Sequence, residues 1–331
     1  MSLLQGSPWL IAHKSMLPAN QPRKISLYGK DYVLWKDSAG NVKALPNACP
    51  HMSAMLSEGW CEKRPDGTSV IVCPFHALGF DGDGCTFLPD TQKKTLPQTE
   101  PLELLLQGDF IWSYGGFSPE VPLPDILEKI AANYQYVGHT ADMSVPTDML
   151  SMLLNMHDYN HQNGTHRPLF RVKEVRFKQF DDLGHHSHAF YDLPRAPVAL
   201  SDIWQNPGVL AVPGVVNVHL ENIFPFCVIF HADMSVAKIA QIHLFIPESD
   251  NQTRTFVLLY AIPQNPCFPL LKNKFLDFAK LITEQDADIL GKIYPDYPQK
   301  MKLNNEVGME WVRRNYSSWP KIVEPQLSRM T

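Results

Sequence analysis

The chain has 331 residues, 44% hydrophobic and 11% aromatic, a composition that supports a packed core and excludes a disordered chain. A net charge of −5 with no Lys/Arg run argues against a nucleic-acid partner. No stretch reaches about 18 consecutive apolar residues, so no membrane span is expected.

The opening Met1-Ser-Leu-Leu-Gln-Gly-Ser7 lacks the basic head and apolar run of a signal peptide, so the expected location is the cytoplasm. There the 6 cysteines are expected to be metal ligands or free thiols rather than disulfides.

Residues 8 to 48 read as short strands. Ile25–Gly29, Asp31–Lys36 and Val42–Leu45 are alternating or β-rich, and Ser38-Ala-Gly-Asn41 is a hairpin signal. Next come Cys49-Pro-His51 and Cys73-Pro-Phe-His76. A Cys-x-His pair followed by a Cys-x-x-His pair is the ligand set of a Rieske [2Fe–2S] centre, with two thiolates on one iron and two imidazoles on the other. Zinc is the rival, but its fingers usually group Cys with Cys and His with His. Here each loop carries one of each, which a two-iron cluster needs. Cys61, Cys85, Cys227 and Cys267 read as small buried thiols.

Asp109–Tyr114 reads as a strand, and the proline-punctuated Ser118–Pro124 marks a domain boundary. The division expected is 1–120 and 121–331. Tyr134–Thr140 opens the second domain.

The apolar run Met149–Leu154 leads into Asn155-Met-His-Asp-Tyr-Asn-His-Gln-Asn-Gly-Thr-His166. Asn155, Asp158 and His161 recur every three residues and so share a helix face. Two His with a carboxylate suit ferrous iron working on dioxygen. On an ideal helix, at about 100° per residue, His161 and His166 stand roughly 140° apart. A distorted helix end is therefore expected, with Asn163-Gly164 as the point of distortion.

From 169 to 262 strands dominate, beginning with Arg171–Lys178. The succession suggests a curved antiparallel sheet around an apolar cavity. Ile223, Phe224, Phe226, Ile242, Phe245 and Tyr260 are candidates to line it, although the same alternation would place them in a plain core. His185-His186-Ser187-His188 reads as a surface turn. Residues 270 to 291 read as a helix with Leu271, Phe275, Phe278, Ile282 and Ile289 near one apolar stripe. It is expected to bring one carboxylate, from among Glu284, Asp286 and Asp288, to His161 and His166. The tail, with Trp311, Trp319, Pro320 and Pro325, carries no motif.

These residues together resemble the Rieske-type non-haem iron aromatic-ring-hydroxylating oxygenases, in their catalytic α subunit. The resemblance runs from Trp9-x-x-Ala12-His13 through the cluster loops and Asn155-x-x-Asp158-x-x-His161-x4-His166 to Glu284-Gln-Asp286. It implies an α+β chain: an all-β Rieske domain, then a helix-grip catalytic domain of antiparallel sheet and long helices. It implies Cys49, His51, Cys73 and His76 as cluster ligands, and His161, His166 and Asp286 as ligands of a mononuclear Fe(II). Asp158, with Asn155 beside it, implies a bridge from a cluster His of one subunit to an iron-bound His of the next in a head-to-tail homotrimer.

Electrons would come from an NAD(P)H-dependent reductase, directly or through a ferredoxin, and O2 would hydroxylate or demethylate an apolar small molecule, a monooxygenase being favoured over a dioxygenase. A Rieske electron carrier, or a helix-grip redox sensor without oxygenase activity, is the alternative.

Respiratory-type Rieske proteins join the two loops by a disulfide from the positions of Ala54 and Phe75. Neither is Cys here, which implies the low-potential branch. Two departures lie beside the cluster: Ala77-Leu78 where the family usually has Gly-Trp, and a longer stretch between His51 and Cys73, with Cys61–Gly67 as the insertion.

Overall fold

The computed structural model describes residues 3–89, 93–197, 203–204, 212–294 and 299–322. Pro325 lies outside them. The chain divides into two units, Met1–Pro122 with Ile246–Asp250, and Leu123–Phe245 with Asn251–Thr331.

In the first unit β1 (Trp9–His13) and the hairpin of β2 (Arg23–Leu27) and β3 (Lys30–Lys36) precede β4 (Val42–Pro46). Strands β5 (Trp60–Lys63), β6 (Ser69–Val72), β7 (Gly79–Asp81), β8 (Cys85–Phe87) and β9 (Lys94–Pro97) follow. The last two are β10 (Leu105–Gln107) and β11 (Phe110–Ser113). They form sheets ordered β1-β11-β10, β2-β3-β4 and β5-β6-β7-β8-β9. The suspected insertion is the β5–β6 hairpin, closed by Arg64 N–H donating to the Thr68 carbonyl at 2.9 Å. Val33, Trp35, Leu45, Ile71 and Phe80 form one buried cluster with Cys49 and Cys73, so the thiols emerge from close-packed core.

The second unit begins with α1 (Ile126–Asn133), β12 (Gln135–Val145), α2 (Met149–His157) and the short α3 (Arg167–Phe170). Strands β13 (Arg176–Asp182), β14 (His186–Pro194), β15 (Val215–Ile223), β16 (Cys227–Asp233), β17 (Ala237–Ser249) and β18 (Gln252–Pro263) build a seven-stranded sheet, ordered β12-β18-β17-β16-β15-β14-β13. Helix α4 (Phe268–Leu290) packs on β12 and on α2, and α5 (Val307–Ser318) packs on α2. The α+β architecture, an all-β domain followed by a helix-grip domain, is the one expected.

Several local expectations change, the first being that Cys267, expected to be a buried thiol, is exposed. The α-helix ends at Asp158, earlier than expected, and the turn that follows it ends at the expected Asn163-Gly164. Asp158 is extended (φ −85°, ψ 94°), closes α2 and opens a 3-10 turn over Tyr159–Asn163, while Gly164 keeps a negative φ of −113°. Its carboxylate accepts from Asn160 N–H at 2.9 Å, which makes an Asp the cheaper place to stop the helix.

The first strand after this region starts at Arg176, because Arg171 is left-handed at φ 53°. His186 and His188 stand in strand β14 rather than in a turn. The buried stripe of α4 is Ala279, Thr283, Asp286 and Leu290, with Ile289 exposed. The tail is structural: Trp311 stacks on His157 at 5.3 Å, and Gly308 lets α5 come so close to α2 that a Cβ would meet Tyr159 Oη at 2.5 Å.

Candidate functional site

The first unit repeats one loop twice. Cys49 N–H donates to the Ala54 carbonyl at 2.9 Å and Cys73 N–H to that of Leu78 at 2.8 Å; Ser53 and Ala77 donate back to the cysteine carbonyls at 2.8 and 3.1 Å. The residue that turns each loop is left-handed, Ser53 at φ 57° and Ala77 at φ 52°. Both thiols are buried while His51 and His76 are exposed, their rings 4.8 Å apart.

Burial pushes the Cys49 thiol up, opposed by the His51 N–H that it accepts. The donors do not gather around one point: among the described residues only His161/His166/Asp286 and His186/His188/Glu221 bring three donor atoms within 4.8 Å of one another. Buried sulfurs, surface imidazoles and no common centre fit a two-iron cluster rather than a zinc ion.

In the second unit His161 comes from the 3-10 turn, His166 from the N-cap of α3 and Asp286 from α4. His166 Nε2 lies 3.2 Å and His161 Nε2 3.7 Å from Asp286 Oδ1. Each ring has its other nitrogen engaged: His161 Nδ1 donates to the Asp158 carbonyl and His166 Nδ1 donates to Gln285 Oε1 at 2.9 Å. Those bonds select the tautomer that offers Nε2 to a metal.

His166 Nε2 and Asp286 Oδ1 are buried and have no aligned hydrogen-bond partner, although they are so close. Two imidazoles and a carboxylate aimed at one point, with unused buried atoms, fit ferrous iron. The Gln162 amide, 3.2 Å from His161 Nε2, competes for that nitrogen.

The electrostatics agree with a cation site. Burial disfavours the Asp286 charge, but His166, His161 and Asn155 hold its carboxyl below the usual range. Burial also opposes a charge on His166, and Asp286 outweighs it, raising that ring's pKa. His161 is pushed down, chiefly by burial. Both shifts follow from a carboxylate facing two imidazoles, the charge arrangement into which a metal cation fits.

The triad lines a largely apolar cavity with Met156, Tyr159, Phe170, Tyr191, Phe230 and Ile282 among its walls. None of the six wall candidates named from the alternation lines this cavity; on β17 the site-facing positions are Gln241 and His243, and Ile242 lies in the core. Gln285 and His243 were missed by the sequence reading. Gln285 had a signal, being the neighbour of a proposed ligand on a helix; His243, with a pKa pushed down to about 4 by burial, had none.

Residues 7–101 match the Rieske [2Fe-2S] domain family. The chain is 26% identical over 185 residues to aminopyrrolnitrin oxygenase PrnD of Pseudomonas fluorescens, covering 53% of this chain and 49% of that protein. It is 33% identical over 125 residues to the 5,5'-dehydrodivanillate O-demethylase oxygenase subunit of a Sphingobium species, covering 35% and 28%. The chain thus spans about half or less of these relatives.

Dicamba monooxygenase, solved with dicamba bound, superposes with a TM-score of 0.72 at 16% identity over 100% of both chains. NdmA of Pseudomonas putida, solved with theobromine, gives 0.63 at 15% over 93% and 88%. Residues 7–101 are a Rieske [2Fe-2S] domain, and the chain as a whole has the fold of the Rieske non-haem iron oxygenases.

Proposed function

We propose that this protein is the oxygenase component of a Rieske-type monooxygenase or demethylase. It uses O2, and electrons from an NAD(P)H-dependent reductase, directly or through a ferredoxin, to hydroxylate or demethylate an apolar small molecule of aromatic character. The observation that carries the reading is the convergence of His161 Nε2, His166 Nε2 and Asp286 Oδ1 at the wall of an apolar cavity in a chain that also has a Rieske domain.

In this reading residues 1–120 are the cluster domain and 121–331 the catalytic domain. Cys49, His51, Cys73 and His76 hold the cluster, and His161, His166 and Asp286 hold the iron. Ferrous iron supplies the activation of dioxygen. The chain supplies the rest: Asp286 stays ionised, the two Nδ1 bonds fix the rings, and the aromatic walls exclude water. The free space is narrow, about 50 Å³, so a ring-sized substrate enters by rotating side chains such as Met156.

Asp158 links the two redox sites across protomers of a cytoplasmic homotrimer, with Asn155 steadying Asp286. The exposed Met52, Met55 and Phe75 beside His51 and His76 are suited to a protein redox partner.

Iron and acid-labile sulfide, counted on protein purified without oxygen and then given ferrous iron, test the assignment. The expected content is about three irons to two sulfides per chain, falling to about two and two in Asp286→Ala but not in Glu284→Ala or Asp288→Ala. Substrates are then sought by coupled oxygen uptake. Two irons to two sulfides in the unaltered chain would leave the carrier or sensor, and three irons retained in Asp286→Ala would remove Asp286 from the ligand set.

A further inference from the structure

Alternation in the seven-stranded sheet sends Tyr191, Leu220, Val228 and Phe230 to the cavity of the triad. It sends His186, His188, His219, Glu221 and His231 to the opposite face. In β14 and β15, His188 stands directly opposite Glu221; in β15 and β16, His219 stands opposite His231. His186 Nε2 lies 3.0 Å from Glu221 Oε1, and His231 Nε2 lies 3.2 Å from Oε2 of the same carboxylate. His188 Nδ1 hydrogen-bonds His219 Nε2 at 2.9 Å, and the His219 ring is stacked on Phe190 at 4.5 Å. The Glu221 side chain is 9% exposed and that of His186 39%, so the cluster is anchored within the sheet and open to solvent on one side.

We propose that His186, His188 and Glu221 bind a divalent transition-metal ion of the zinc class, at a site separate from the triad. Their donor atoms lie within 4.8 Å of one another. Side-chain rotation that draws these atoms to about 3.4 Å from one another brings them to metal bonds of about 2.0–2.2 Å, with a solvent position left open. Imidazole donors favour zinc, nickel, cobalt or copper over magnesium or calcium.

The supporting partners are in place as well. His219 holds the far nitrogen of His188, and His231 holds the second oxygen of Glu221, the arrangement that orients metal-bound side chains. An ion here ties β14 to β15 and faces away from the cavity, so its role is to brace the sheet. The proposal is independent of the oxygenase reading.

The test uses the full-length chain with its cluster assembled, carrying His161→Ala and His166→Ala so that the triad does not compete. Zinc is titrated and counted per chain, and cobalt is substituted to read its visible absorption. One zinc per chain and cobalt ligand-field bands are expected. Adding His186→Asn with His188→Asn, or Glu221→Gln alone, is expected to weaken zinc binding by at least about 100-fold, and His219→Ala by about 10- to 100-fold. The single variant His188→Gln, checked by circular dichroism, serves if the double one does not fold. The proposal is overturned if the background protein retains no zinc, or if its zinc affinity is unchanged by the loss of His188 or Glu221.

Discussion

His166 and Gln285 are joined by a 2.9 Å hydrogen bond, and the next residue of the same helix, Asp286, stands 3.2 Å from the other nitrogen of that ring. Helix α4 thus grips one imidazole at both edges, through consecutive residues. Replacing Gln285 by Leu frees Nδ1 and lets the tautomer and the ring angle drift. Iron affinity, measured by chelator competition, should fall by about 10- to 100-fold with cluster content unchanged. An unaltered affinity would mean that the bond is incidental.

Asp158 presents its backbone carbonyl to His161 and its carboxylate to Asn160 N–H. An Asn at this position preserves the cap and the carbonyl while removing the charge. Asp158→Asn should keep both iron sites and lower substrate-coupled oxygen uptake by about 10- to 100-fold. Full turnover with full metal content would refute its role as a bridge.

Ala77 sits at φ 52°, a region that costs a non-glycine residue roughly 1–2 kcal/mol. Glycine removes that strain and gives back about 0.5–1 kcal/mol in unfolded-chain entropy. Ala77→Gly should therefore stabilise the first unit by about 0.5–1 kcal/mol, seen as a higher urea midpoint. The cluster's spectrum should not change.

Burial pushes His157 down to about 4, and its Nδ1 donates to the Leu153 carbonyl. The unfolded chain takes up this proton near pH 6.5, the folded one only near 4, so the contribution is complete above pH 6.5 and is lost as pH falls towards 4. Between pH 7 and 5 the loss is about 2 kcal/mol. Urea denaturation at the two pH values should show that difference shrinking by about this amount in His157→Leu. His243, depressed for the same reason, leaves part of the slope behind.

The cluster loops were legible because Cys49, His51, Cys73 and His76 are close in sequence and chemically unambiguous. The pair His161 and His166 was legible with its demand for a distorted helix. The end of the α-helix was not, since Asp158 stops it through its own carboxylate, a local bond that competes with propensity. Asp286 could have been separated from Glu284 and Asp288 by its spacing from Ala279, Thr283 and Leu290, which places a carboxylate on the buried stripe. The strand position of His186 and His188 was hidden by Gly184, whose turn ends one residue earlier than the histidines suggest.

Gly308 has one further consequence. The hydrogen that stands in for a side chain there faces Tyr159 and the His157 carbonyl, the two residues on either side of the break that releases the iron-binding turn from its helix. A shortened chain ending before Val307 would keep every proposed metal ligand and lose the buttress behind two of them. For His161 and His166 this packing support is encoded more than a hundred residues downstream of the ligands themselves, so a homologue could retain both imidazoles while forfeiting the helix that braces their turn.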